Sequence, residues 1–226
     1  MAVATALGFG LFWGRAGAPL LLGRPGVWFG LLLGVVVYPF AQVWLRDELT
    51  VAVLDIVAEN VGASAMRDQV ALVGLISAIV AGYADEFAKL VMLLVVGFVM
   101  ARPSNPRAVT AAAIAPTAGY ALFAAQLTLT AALQADLQAA ELAYVFSREW
   151  AWISLQFGTA YMLARGWLSG RLTGYVLLAG VLHTAAAYTA TLDDIGWHPA
   201  VVTLVLAVVG LLAFSWGASL IPTGRR

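Results

Sequence analysis

The stretch "GYADEFAKLVMLL", residues 82–94, sets Asp85, Glu86 and Lys89 inside an otherwise apolar run, and Lys89 is the single lysine of the chain. Its reading depends on what surrounds the run. Of the 226 residues, 62% are hydrophobic and 11% charged, with mean hydropathy +0.91. Soluble domains carry about 25% charged residues. A water-facing surface cannot be assembled from so few polar groups, so lipid takes that place. The three ionisable groups therefore stand where a bilayer core is expected.

The remaining composition excludes several classes. Formal net charge is zero, which argues against a nucleic-acid partner. Cysteine is absent, so disulfides, thiolate chemistry and cysteine metal cages are excluded. Met1 to Trp13 is apolar but has no basic residue ahead of it, with Arg15 following, and does not read as a signal peptide. No phosphate loop, serine elbow or nucleotide-binding glycine motif is found. The expected organisation is one integral-membrane domain over residues 1–226.

Six stretches are long enough to cross a hydrocarbon core, which takes about 20 residues: near 26–45, 70–101, 108–133, 148–164, 172–192 and 199–219. The second exceeds one straight crossing and must tilt, kink near Gly82 or extend beyond the bilayer. Residues 2–14 could add a short helix. Arg15 and Arg24, Arg102 and Arg107, Arg165 and Arg171, and Arg225 and Arg226 all fall on one side of such an alternation. Asp47, Glu48, Asp55, Glu59, Asp68, Asp136, Glu141, Asp193 and Asp194 fall on the other. The positive-inside rule then makes both termini cytoplasmic in a multi-pass protein of the cell membrane. The fold class expected is all-α, a polytopic bundle of six membrane helices.

Between the first two spans, Leu54, Val57 and Val61 share one helical stripe, while Asp55 and Glu59 lie on another. This fits an interfacial helix on the outer surface, or else a solvated loop. Gly26, Gly30 and Gly34 recur at four-residue steps, a surface for close helix contact within the bundle or between copies. Six tryptophans near span ends, Trp13, Trp28, Trp44, Trp150, Trp167 and Trp197, read as an interfacial belt. His198, beside Asp193 and Asp194, reads as part of a solvated turn that opens the last span.

Depth brings the polar residues together. Glu86 lies 16 residues before Arg102 and Lys89 lies 13 before it; Tyr120 lies 13 after Arg107, Gln156 9 before Arg165 and His183 12 after Arg171. Four helices thus present polar groups near one level of the membrane. A charge there costs at least about 2.5–3.5 kcal/mol and must face protein or water. Asp85 and Glu86 differ by about 100° around a helix, so one carboxylate is expected to neutralise Lys89 while the other faces a neighbour. His183 is the natural candidate, since a carboxylate facing an imidazole can hold a divalent metal or pass a proton. Alternatively, Lys89 is a structural ion-pair residue and His183 bonds a carbonyl or Thr184.

Several motifs resemble one family. "DEFAK" at 85–89 resembles the Glu-Glu-x-x-Lys motif of PrsW-type and YhfC-type intramembrane metalloproteases, relatives of the CAAX-processing proteases. "GLLLGVVVYPFAQ" at 30–42 is similar to the first span of YhfC-type members, and "AGYALFAAQL" at 118–127 resembles their third motif. "SREWAWISLQFGTAY" at 147–161, with Arg148, resembles the Arg-containing segment, and "LLAGVLHTAAAY" at 177–188 the final histidine motif. The resemblance implies zinc-dependent peptide hydrolysis within the membrane. Asp85, Glu86 and His183 would then act in catalysis, with Glu86, His183 and Gln156 at the metal positions. Lys89, Tyr120, Gln126 and Arg148 would support them.

The chain departs from the family pattern at three places. Ala124, with Gln126 nearby, stands where the third motif carries glutamate. Gln156 replaces a histidine, and Ala187 replaces the acid or amide four residues after the last histidine. Catalytic zinc takes three protein ligands and leaves one position for water. Glutamine serves poorly as a ligand and cannot act as a general base. The expectation is a member of this fold that has lost some or all of its hydrolytic chemistry. Two other classes stay open: a non-catalytic subunit or scaffold binding a transmembrane partner, and a proton- or ion-coupled carrier relaying through Asp85, Glu86, Lys89 and His183. Absence of an inverted repeat counts against the carrier.

Overall fold

The computed structural model describes residues 25–62, 64, 66, 68–100, 105–135 and 137–220. All regular structure among them is helical: α1 (Pro25–Phe40), a π-helical segment (Ala41–Asp47), α2 (Glu48–Val61), α3 (Val70–Val99), α4 (Pro106–Gln134), α5 (Ala139–Ser169), α6 (Leu172–Ala187), α7 (Thr189–Asp194) and α8 (Pro199–Ser219). Among the described residues, four helical runs are long and apolar enough to cross a membrane: Pro25–Val61, Pro106–Gln134, Leu172–Asp194 and Pro199–Ser219. The further helix considered for residues 2–14 lies outside the described residues.

Local chemistry sets the helix ends. Asn105 accepts the Ala108 amide at 2.8 Å and Pro106 follows it, a side-chain cap with proline at the first helical position. His198 caps α8 in the same way, accepting the Ala200 amide at 3.2 Å ahead of Pro199. The solvated-turn expectation for His198 thus gains a defined structural task. At the start of α5 the Glu141 carboxylate accepts the Gln138 amide at 2.8 Å, which carries the helix nine residues upstream of the expected boundary at 148.

The first helix departs from expectation. Instead of ending near residue 45 before a separate interfacial helix, it runs without a break from Pro25 to Val61. Pro39, which cannot donate an amide hydrogen, sits just before the π-helical segment, and the wider turn there absorbs the disturbance. In α2, Leu54 and Val57 are half-buried while Asp55, Glu59 and Val61 are exposed. The helix stops at Gly62, whose φ of 88° suits a residue without Cβ. Helix α3 is also continuous, with no break at Gly82.

Small residues hold the helices close together. Gly30 and Gly34 face Ala115, Pro116 and Tyr120 of α4, so the glycine stripe serves contact within the bundle. Gly210 and Gly217 of α8 lie against the Ala151 and Gly158 carbonyls of α5. On α3, a Cβ at Gly82 would meet the Thr184 amide nitrogen and hydroxyl of α6 at 2.6 Å. Such contacts replace the missing hydrophobic drive between helices in lipid. The main apolar core, including Leu93, Val96, Val109, Phe157 and Leu163, closes the end of the bundle toward Arg107 and Arg165. A polar centre sits beyond it.

Candidate functional site

Helix α3 supplies the acids. Asp85 is 2% exposed, Glu86 0% and Lys89 1%, so all three face protein rather than lipid. Lys89 pairs with Glu86 Oε1 and donates to Thr159 Oγ1 of α5 at 2.5 Å. Its four-carbon stem lets the ammonium reach another helix while the backbone stays within α3. The Thr159 hydroxyl in turn donates a hydrogen bond to the Gln156 carbonyl, 3.2 Å away.

Helix α6 supplies the imidazole. His183 is fully buried, its Nδ1 2.8 Å from Glu86 Oε1 and its Nε2 3.0 Å from Asp85 Oδ2. The second approach is an ion-pair separation without hydrogen-bond alignment, and Nε2 has no hydrogen-bond partner. The ring stands edge-on to Trp152 of α5, with centroids 4.8 Å apart. The Gly82 contact explains how the imidazole comes so near: Gly82 lies one turn before Glu86, and Thr184 directly follows His183.

The expected division of labour holds, with Glu86 on Lys89 and Asp85 facing Tyr120 and His183 of neighbouring helices, but the two acids also converge on one imidazole. Glu86 alone meets both Lys89 and His183, and Asp85 reaches the same imidazole from its other side. The 100° offset along α3 does not prevent this, because the two ring nitrogens point apart and each carboxylate takes one. A neutral imidazole has one N–H to donate. With a carboxylate oxygen near each nitrogen, a neutral ring can donate to only one of the two acids at a time.

Asp85 has further partners. Tyr120 of α4 donates to its Oδ1 at 2.7 Å, and Gln42 Nε2, on the π-helical segment, lies 3.4 Å from both Asp85 Oδ1 and the Tyr120 hydroxyl. Arg46 donates to Gln42 Oε1 at 3.1 Å. Tyr38 stands edge-on to Tyr120, with centroids 4.9 Å apart. An open cavity of about 270 Å³ leads from this group toward Arg148, Glu149 and Asp193, and Ala124 and Ala187 also line it. Ala124 and Ala187 thus leave methyl groups on the wall beside Asp85.

The other sequence candidates fall elsewhere. Gln126 donates to Thr130 on its own helix at 3.2 Å and does not join the centre. Arg148 grips Asp193 with two bonds of 2.6 and 2.8 Å and donates to Thr203 at 3.2 Å, fastening α5 to α7 and α8. Gln156 is buried, and its Oε1 has no partner. Gln42, Arg46, Trp152 and Thr159 escaped sequence reasoning. A polar residue one turn after Gln156, and an amide at the end of the motif at 30–42, were the available signals.

A catalytic zinc ion would need three ligands from this donor set. Glu86 Oε2, Gln156 Oε1 and His183 Nε2 are buried and unpartnered, but no group of three His, Asp or Glu residues suited to a metal ion occurs among the described residues. One ion can meet only one imidazole nitrogen, and each nitrogen has a single carboxylate beside it. On the Nδ1 side the Lys89 ammonium already occupies Glu86. The residues do not fit the three-ligand requirement. No family model, characterised protein or solved structure matches the chain.

Proposed function

We propose that the chain is a six-crossing protein of the cell membrane, both termini cytoplasmic, built on the scheme of PrsW/YhfC-type intramembrane metalloproteases but without their hydrolytic activity. In the two further crossings, α3 and α5, 30 and 31 residues span about 45 Å at 1.5 Å per residue, more than the hydrocarbon core of about 30 Å. Burial of Asp85, Glu86 and Lys89 within protein supports the crossing of α3, since these charges do not meet lipid. The chain lacks cysteine, so single introduced cysteines report topology cleanly. Ser169→Cys should label only from the cytoplasmic side and Glu59→Cys only from outside; the reverse sinks the orientation.

The loss of hydrolysis rests on one observation, the single imidazole held between two carboxylates of which one is already paired with Lys89. The remaining role is binding, as a non-catalytic partner of a transmembrane protein. A zinc-loaded preparation should leave a membrane-spanning peptide intact. Cleavage that Glu86→Gln abolishes would overturn this reading.

A proton- or ion-coupled carrier is the second reading, favoured by the cavity that reaches Asp85 and by the continuous Asp85–His183–Glu86 group. It requires pH-dependent flux into liposomes that His183→Ala abolishes.

A further inference from the structure

The cavity above Asp85 and Tyr120 carries charges of its own, and they are unevenly satisfied. Arg148 and Asp193 neutralise each other through two bonds. Arg46 and Glu149 line the same cavity, from the π-helical segment and from α5, yet neither has an ion-pair partner among the described residues. Arg46 has spent one nitrogen on the Gln42 amide oxygen, while the Thr128 hydroxyl, which lines the same cavity as Glu149, donates to the Ala124 carbonyl at 3.3 Å. Arg46 and Glu149 are both half-buried. An ionisable group in such a setting holds its charge only at a cost, which a pairing ligand would relieve.

Size and lining narrow what could pair with both. A volume of about 270 Å³ corresponds to about nine waters at about 30 Å³ each and falls just below pockets for drug-sized ligands. Tyr38 and Trp152 add aromatic surface to the walls, which suits an ammonium group near a carboxylate. A guanidinium offers a planar fork to a carboxylate or phosphate. The two charges meet no counter-ion in the wall, so a single small molecule carrying both opposite charges complements them.

We propose that this cavity binds a small zwitterion, its ammonium against Glu149 and its anionic group against Arg46. The same chemistry is offered by a free amino acid and by an ethanolamine-phosphate lipid headgroup. The proposal stands whether or not the Asp85–His183–Glu86 centre has lost hydrolysis.

The test is calorimetric titration of the full chain in a detergent free of zwitterionic lipid. Glycine and L-leucine probe the free amino acid, glycerophosphoethanolamine probes the headgroup, and acetate and methylamine carry one charge each. At least one zwitterion should bind ten-fold or more tightly than either singly charged compound, and the preferred probe identifies the source. Arg46→Gln and Glu149→Gln should each weaken it at least ten-fold, and Arg46→Gln should bring its affinity down toward that of methylamine. Equal binding of acetate or methylamine, no binding of any zwitterion, or unchanged affinity in both variants overturns the proposal. The comparison among compounds uses the unaltered protein and holds even if a variant folds poorly.

Discussion

Replacing Lys89 with methionine keeps much of the side chain's length and removes its charge together with the hydrogen bond to Thr159. Lys89 and Glu86 are 1% and 0% exposed, so no water is at hand to solvate the carboxylate left behind. Two unit charges about 4 Å apart attract by about 4 kcal/mol at an effective dielectric constant of about 20. Breaking a buried pair by removing one partner costs about 3–5 kcal/mol. His183 Nδ1, 2.8 Å from Glu86 Oε1, remains as a partial partner, so the lower end, about 3 kcal/mol, is expected. At about 2–4 °C per kcal/mol for a chain of this size, the melting temperature in detergent should fall by about 6–12 °C. Adding Glu86→Gln removes the stranded charge and should recover more than half of the loss. If Lys89→Met melts within about 2 °C of the parent, or the double variant is no more stable than the single one, the ion pair is not what holds this region.

Other consequences follow from the same geometry. Gly82→Ala places a methyl group 2.6 Å from the Thr184 amide nitrogen, forcing α3 and α6 apart; overpacking costs about 1–3 kcal/mol, to be read as a lower melting temperature. Tyr120→Phe removes the 2.7 Å hydrogen bond to Asp85 and should cost about 1.5–3 kcal/mol, the range for bonds to charged groups; circular dichroism melting checks it. Arg148→Met breaks a bidentate pair whose side chains are each 30% exposed. Screening limits that loss to about 1 kcal/mol or less, so its melting temperature should drop less than that of Lys89→Met.

Burial was the legible part of the site. A lone lysine and two acids inside an apolar run have to face protein, and depth counted from flanking arginines picked out His183 and Tyr120 as neighbours of that turn. Counting depth cannot give the angle around a helix axis. A motif resemblance has the same limit: Gln126, a candidate through its place in the stretch at 118–127, points along its own helix toward Thr130. The same limit hid the sharing of one imidazole by two carboxylates, which depends on the geometry of the ring nitrogens. Helix continuity from Pro25 to Val61 was illegible for another reason: Pro39 and the charges at Arg46, Asp47 and Glu48 signal an end, and only the π-helical turn carries the chain through. Thr159 was missed because hydroxyls are common in apolar helices, and only the reach of Lys89 makes this one a partner.

Zinc bound per chain is the most direct measure of whether the Asp85–Glu86–His183 group is a closed polar cluster or a metal centre. Purified protein, incubated with zinc and then dialysed against a weak chelator, should retain far less than one ion per chain, with no difference between the parent and His183→Ala. Retention of one zinc per chain that disappears in His183→Ala would contradict the account.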